Sequence, residues 1–169
     1  ITCCDNDHIL SIVISMIVFR KKLMYIVFDI GGTKMRLGAS FDGETLGKTV
    51  VIDTPVSYEA GISQIKKAGE ALAEGEVVNA IAGGIAGPYC QKRSKLLNSP
   101  NLRNWIGKPF KTELEKFFNA PVYIENDAAL AGLGEAVRGA GRDFEIVAYM
   151  TVSTGIGGAK IVSGKIGSK

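Results

Sequence analysis

The sequence predicts an α/β fold, and three features of the chain indicate it. An apolar, β-rich segment at Tyr25–Ile30 stops at a Gly-Gly pair, which is typical of a buried strand that ends in a tight turn. Further strand-like segments precede the first amphipathic segment, so an antiparallel meander is expected before the helices. Helical and strand-like segments then alternate, and a second meander begins near Ile146. The predicted order is βββ, α, β, α, β, α, followed by the start of another ββ unit.

The predicted strands are short and are bounded by turn residues. They cover residues 25–30, 34–40, 46–52, 77–85, 122–125, 146–151 and 159–162. The predicted helices cover residues 57–74, 110–118 and 128–138, and in the first of them the apolar residues share one face: Ile62, Ile65, Ala68 and Leu72. Residues 89–105 are rich in Asn, Pro, Ser and basic residues and are predicted to form a long loop.

Composition limits the classes of partner. The chain has 169 residues, 46% of them hydrophobic, which is enough for one core and part of another. The net charge of +3 is spread along the sequence, so we expect no nucleic-acid partner. The cysteines Cys3, Cys4 and Cys90 form no CxxC pair and have no histidine at metal spacing. We therefore expect no zinc site and no disulfide framework in this chain, and a reducing cytoplasm.

The chain is predicted to contain a leader, one lobe and part of a second. The apolar segment Ile9–Phe19 is shorter than the roughly 20 residues of a membrane span, and its basic residues follow it, whereas those of a signal peptide precede it. We expect residues 1–23 to be a non-native or disordered leader, with a short membrane tail as the alternative. Residues 24–125 are expected to form an N-terminal lobe, and residues 126–169 the incomplete start of a second lobe.

The turn after the first strand has the composition of a phosphate-binding turn. Gly31 and Gly32 allow backbone N–H groups to approach a phosphate closely, while Thr33 and Lys34 add a hydroxyl and a positive charge. Asp29 stands at the end of the strand, where a carboxylate can hold Mg²⁺ through water. A plain Gly-Gly hairpin with a solvated lysine explains the same residues, and the turn alone does not decide between the two interpretations.

A second turn repeats this pattern near the end of the chain. Thr154, Gly155 and Gly157 lie between two strand-like segments, so the turn again combines hydroxyls with glycines. Two such turns, each joining strands of a meander, favour two lobes that grip one polyphosphate between them. Two unrelated hairpins are the alternative.

Asn126 and Asp127 lie between these turns, where a strand gives way to a helix. The pair is explained well as a helix N-cap. The functional interpretation makes Asp127 a general base for a sugar hydroxyl and Asn126 a ligand of a neighbouring hydroxyl, because a helix that starts at the carboxyl end of a strand opens toward a cleft. The two interpretations are compatible.

The predicted loop carries further candidates for sugar binding. Gly87 starts a turn beside the end of a strand, and Asn101 can bond sugar hydroxyls as both donor and acceptor. A surface loop anchored by a half-buried Trp105 accounts for the same residues, and the residues alone favour that interpretation.

Taken together and in order, these segments resemble the ROK (repressor/ORF/kinase) family of sugar kinases and sugar-responsive repressors. The matching residues are 29–34, 84–88, 99–102 with Trp105, 125–128 with 133–135, and 151–158. Each segment alone is weak evidence. The resemblance covers the chain from Met24 to its end and is closest to kinases of the glucokinase and fructokinase type.

The resemblance implies an actin-like ATPase fold and transfer of the ATP γ-phosphoryl group to a hexose or N-acetylhexosamine, with ATP and Mg²⁺ bound. By this resemblance Asp127 is the catalytic aspartate and Asn101, Asn126 and Gly87 bind the sugar, while both glycine-rich turns bind phosphate. The family's zinc segment and adenine pocket are expected beyond Lys169, so little activity is expected from these residues alone. The resemblance also allows a homodimer.

Two other functions are compatible with the residues. One is a sugar-sensing repressor of the same family, but residues 1–23 are too few and too apolar for a DNA-binding helix-turn-helix region. The other is a non-catalytic actin-like ATPase, against which Asn101 and the Asn126–Asp127 pair argue. We therefore expect an enzyme, with a sugar and ATP as partners and no membrane.

Overall fold

The computed structural model describes residues 23–152 and 156–167. The predicted leader, apart from Leu23, lies outside these residues. The strands are β1 (Tyr25–Ile30), β2 (Lys34–Ser40), β3 (Thr49–Asp53), β4 (Ala80–Ile85), β5 (Tyr89–Cys90), β6 (Lys95–Leu96), β7 (Val122–Asn126), β8 (Ile146–Val152), β9 (Ile156–Val162) and β10 (Lys165–Ile166). The helices are α1 (Tyr58–Ala73), α2 (Phe110–Phe118) and α3 (Asp127–Arg138), with a 3₁₀ turn at Arg103–Trp105.

The main sheet has the strand order β3-β2-β1-β4-β7. β1, β2 and β3 form the predicted antiparallel meander, whereas β4 and β7 run parallel to β1. In this register Ile30 lies opposite Ile85, and Ile85 lies opposite Asn126. Three parallel strands therefore end level with one another, and the segments that follow them meet at one edge of the sheet.

One face of the main sheet packs against α1 and α2. The alternation of β1 directs Ile26, Phe28 and Ile30 into this core, where each is at most 5% exposed. Trp105 lies in the same core, edge-on to the rings of Tyr58 and Phe110, and is 2% exposed. The expectation of a half-buried Trp105 is therefore wrong: the 3₁₀ turn inserts this ring between α1 and α2.

The second, three-stranded sheet has the order β10-β9-β8 and is antiparallel throughout. Helix α3 packs against β8 and β9 of this sheet and also against β4 and β7 of the main sheet. Gly132 permits this contact, because a Cβ atom there would lie 2.8 Å from Cβ of Tyr149. The helix is therefore shared by both sheets.

Three predicted strands begin at positions that differ by three residues from those in the structure. β3 begins at Thr49, and the preceding Leu46 is 57% exposed and lies against Gly38, where an added Cβ would be 2.5 Å from the leucine Cδ1. β4 begins at Ala80, since the preceding Asn79 instead exchanges hydrogen bonds with Met24. β9 begins at Ile156, and the predicted loop contains the small hairpin of β5 and β6.

Candidate active site

The turn between β1 and β2 is held in place from two directions. The Gly31 N–H donates to the Lys34 carbonyl at 2.9 Å and closes the turn. Thr54, just after β3, donates its hydroxyl to the Gly31 carbonyl at 2.8 Å and its N–H to the Thr33 carbonyl at 3.0 Å. The predicted phosphate-binding turn is therefore fixed before any ligand arrives.

Gly32 brings this turn into contact with the predicted sugar-binding loop. A Cβ atom at Gly32 would lie 2.2 Å from Cβ of Asn101, so only glycine allows the loop to lie so close. The two residues also line a cavity of about 260 Å³ beside the loop after β3. The turn that is predicted to bind phosphate and the loop that is predicted to bind the sugar are thus adjacent.

The cation that faces Asp29 is Arg36 rather than Lys34. Arg36 lies opposite Asp29 in the β1–β2 register, and its Nη1 is 3.0 Å from the aspartate Oδ2. Lys34 is drawn toward β3, where its Nζ pairs with Oδ1 of Asp53 at 2.5 Å. Sequence reasoning missed Arg36, although counting outward from the hairpin turn would have placed it opposite Asp29.

Asn126 is the N-cap of α3 and also fastens a neighbouring loop. Its Oδ1 accepts the Ala129 N–H at 3.1 Å, which confirms the predicted cap. Its Nδ2 donates to the Gly87 carbonyl at 3.0 Å and to Oδ1 of Asp127 at 2.8 Å. Gly87 has φ +125°, and a Cβ atom there would lie 2.3 Å from the Asn98 carbonyl oxygen. The Asn126 amide therefore connects the predicted base and the glycine loop.

Asp127 is the first residue of α3, and its carboxylate is bonded on one side. Oδ1 accepts the N–H of Ala128 at 2.9 Å as well as the Asn126 amide. Among the described residues no hydrogen bond goes to Oδ2, so this oxygen remains available to a substrate hydroxyl.

A single cavity collects residues from both sheets. It has a volume of about 450 Å³ and includes Asp29 at the end of β1, Asp127 at the start of α3 and Thr151 near the end of β8. The rest of its lining is mostly small or apolar: Phe28, Gly84, Ala128, Leu130, Ala131 and Tyr149. Thr151 was not singled out from the sequence, although it opens the second glycine-rich segment. The cavity therefore joins the end of the strand before the first predicted phosphate-binding turn, the predicted base and the strand that leads to the second turn.

The second glycine-rich turn is described in part. Thr154 and Gly155 lie outside the described residues. Gly157, in β9, packs against α3, because a Cβ atom there would lie 3.0 Å from Cβ of Ala128. The second turn is therefore attached to the strand that contacts α3 directly after Asp127.

The donor set at the cavity suits a hard, hydrated cation. Mg²⁺ is held through one or two carboxylates and keeps several waters, and Asp29 and Asp127 supply two carboxylates to one cavity. In residues 23–152 and 156–167 no three His, Cys, Asp or Glu side chains cluster as a metal site. Asp29 is the predicted ligand that would hold Mg²⁺ through water. To do so, its carboxylate would have to leave the ion pair with Arg36.

Burial also affects Tyr89, at the start of the β5–β6 hairpin. It lines a neighbouring cavity of about 500 Å³ together with Asn126 and Lys160. Burial, aided by the negative charge of Glu115, raises the pKa of Tyr89 to about 12. The shift moves the pKa of this phenol further above physiological pH, where it is neutral.

Comparison with known proteins identifies the family. A model of the ROK family matches residues 25–168, nearly the whole of the described chain. The chain belongs to the ROK family. A glucokinase of Streptomyces coelicolor is 34% identical over 82% of this chain and 43% of its own length. An uncharacterised protein of Clostridium perfringens is 38% identical over 85% of this chain and 50% of its own length.

Solved ROK structures confirm the architecture. A ROK family glucokinase from Streptomyces griseus, in complex with glucose and AMPPNP, superposes with a TM-score of 0.75 at 35% identity, over 85% of this chain and 46% of that one. A ROK hexokinase from Thermus thermophilus gives the same TM-score and identity, over 85% of this chain and 48% of that one. This ROK chain therefore has the actin-like ATPase fold, and it spans about half the length of these relatives.

Within the part of the chain that the structure describes, no helix combines the length and apolarity that a bilayer span requires.

Proposed function

We propose that this ROK chain provides the general base and part of the nucleotide site of an ATP-dependent sugar kinase. The observation that carries the proposal is the shared cavity of Asp29, Asp127 and Thr151. Phosphoryl transfer depends chiefly on positioning and on offsetting charge. In sequence Asp29 and Thr151 each precede a glycine-rich segment, and Asp127 lies between the two segments. The acceptor is a hydroxyl of a hexose or an N-acetylhexosamine.

Asp127 acts on the sugar. Its Oδ2 accepts the proton of the hydroxyl that attacks the γ-phosphorus of ATP, while Oδ1 stays bonded to Asn126 and Ala128. Asn101 and Gly87 bind other hydroxyls, and the second lone pair of the Asn126 Oδ1 can accept one more.

The glycine-rich turns act on the nucleotide. Backbone N–H groups of Gly31, Gly32 and Thr33 hold phosphate oxygens, and Lys34 supplies positive charge after leaving Asp53. Thr154, Gly155 and Gly157 do the same from the second turn. Mg²⁺, held through water by Asp29, offsets the charge of the ATP phosphates.

The relatives support this reaction class. The Streptomyces griseus glucokinase at 35% identity was solved with glucose and AMPPNP. An N-acetyl-D-glucosamine kinase of Pectobacterium carotovorum is 31% identical over 84% of this chain. Because these two relatives differ in their sugar, the proposal covers a hexose or an N-acetylhexosamine acceptor.

A sugar-sensing repressor is the competing function. The xylose repressor of Bacillus subtilis is 36% identical over 81 residues, which is 47% of this chain. A repressor needs the residues that bind the sugar, but it does not need a general base next to a phosphate site. The unbonded Oδ2 of Asp127, in one cavity with Asp29, favours transfer over sensing.

The proposal is tested by a coupled assay of ATP consumption with a panel of hexoses and N-acetylhexosamines, on the full-length product of the gene. Asp127→Asn preserves the acceptor for the Ala128 N–H but removes the base, so sugar-dependent kcat should fall by about 10²- to 10⁴-fold. Asp143→Asn is the control, because Asp143 pairs with Arg142 on the surface. Near-normal turnover of the Asp127 variant would refute the assignment.

A further inference from the structure

The junction between β7 and α3 contains a hydrogen-bonded chain that leads to Asp127. Glu125, the residue before the cap, folds its carboxylate back so that Oε1 accepts the N–H of Asn126 at 2.9 Å. Its Oε2 accepts Nε2 of Gln91 at 3.1 Å. Gln91 lies in the turn of the β5–β6 hairpin and also donates to the Ile124 carbonyl at 2.6 Å. One carboxylate therefore joins a hairpin turn to the cap of the catalytic helix.

The chain continues from the cap to the base. Asn126 uses its amide to hold both Oδ1 of Asp127 and the carbonyl of Gly87. Gly87 and Gln91 belong to one segment, which is therefore tied to the β7–α3 junction at two points. The first tie lies at the proposed sugar site and the second lies beside it. A shift of the cap would move the base and the glycine carbonyl together.

We propose that Glu125 and Gln91 are a positioning pair for Asp127, acting through Asn126. The inference rests on the proposed function for its effect on turnover. Neither residue need touch a substrate. The carboxylate suits this position because it accepts one donor at each oxygen, the Asn126 N–H at Oε1 and the Gln91 amide at Oε2, whereas a side-chain amide has a single oxygen. The pair fixes the direction of the Asp127 carboxylate relative to Gly87.

A graded set of variants separates the two bonds. Glu125→Ala removes both acceptors, whereas Glu125→Gln keeps an oxygen for the Asn126 N–H and loses the bond to Gln91. Gln91→Ala removes the same bond from the other side, together with the bond to the Ile124 carbonyl. Since one hydrogen bond is worth roughly a factor of three, we expect kcat to fall about threefold in Glu125→Gln and in Gln91→Ala, which each lose one bond to Glu125, and about tenfold in Glu125→Ala, which loses both.

The pattern among variants is the test of positioning. The double variant Gln91→Ala/Glu125→Gln should be at most about twofold slower than Gln91→Ala, because the Glu125–Gln91 bond is already absent from that single variant. KM for ATP should stay within about twofold, since the nucleotide turns lie elsewhere. Glu115→Gln is the matched control: this carboxylate pairs with Lys111 on α2. Unchanged kcat in Glu125→Ala, or an equal loss in the control, would overturn the proposal.

Amide hydrogen exchange provides a readout that does not depend on activity. Exchange in residues 122–129 should accelerate about tenfold in Glu125→Ala and less in Glu125→Gln, with α1 unaffected. If wild-type protein phosphorylates no sugar, the kinase proposal fails, and this exchange pattern alone decides whether the pair holds the cap. Equal exchange in wild type and Glu125→Ala would overturn it.

Discussion

Gly32 illustrates how the absence of a side chain brings together two segments that are predicted to bind ligands. The turn that carries it is bonded to Thr54, and the loop that carries Asn101 is anchored by the buried Trp105. These contacts prevent either segment from moving away from the other. The 2.2 Å separation between a Gly32 Cβ and the Asn101 Cβ is therefore a constraint on the backbone as well as on ligand approach.

We expect Gly32→Ala to destabilise the protein by about 1–3 kcal/mol, because an overpacked contact forces the Asn101 loop to shift. Gly134→Ala is the control, since a Cβ there meets nothing within 4 Å and helix α3 gains about 0.5–1 kcal/mol from alanine. Urea unfolding of the two variants measures both values. Equal stabilities would show that the loop adapts freely.

Helix α1 shows what local sequence predicts well. Ser57 caps it by accepting the Ala60 N–H, and Glu74 ends it in the left-handed conformation, next to Gly75. Glu59, in its first turn, bonds its own backbone, Lys108 and Ser57, in that order of importance. These contacts hold the pKa of Glu59 at about 2, below its ordinary value of 4.5.

This shift predicts a pH dependence. A lowered folded-state pKa contributes stability above the unfolded value and loses it as pH falls through the folded value. The contribution of Glu59 should therefore be complete at neutral pH and disappear between pH 4.5 and about 2. The difference in Tm between wild type and Glu59→Gln should shrink over that range.

Much of the fold and part of the site could be predicted because their signals are local. Strand ends, glycine turns and caps placed Asp29, Asp127 and Asn126 near one edge of the sheet. Three contacts of the site depend on residues that are distant in sequence, so no local sequence pattern indicates them. Arg36 reaches Asp29 only through strand register, Thr151 reaches the cavity only through packing on α3, and Gln91 reaches Glu125 across 34 residues.

At the scale of the whole molecule, one face of the second sheet has large apolar side chains in solvent. Ile146, Met150, Val152 and Ile156 are 58–80% exposed. Adjacent strands place several of them on one surface, and a contiguous apolar patch favours association.

We expect the 169-residue chain to self-associate through this face at micromolar concentration. Met150→Lys places a charge within the patch and should shift sedimentation toward monomer. Val56→Lys is the control, because Val56 is 83% exposed in the loop before α1. A wild-type chain that sediments only as monomer would contradict this expectation.

The position of α3 has a consequence for how the chain unfolds. A helix that supplies core contacts to two sheets cannot melt without weakening both, so the sheets share part of their free energy of unfolding. The predicted boundary between residues 125 and 126 falls at the cap of this helix. Asp127, the proposed general base, thus lies in the helix that couples the unfolding of the two sheets, so its order should depend on both.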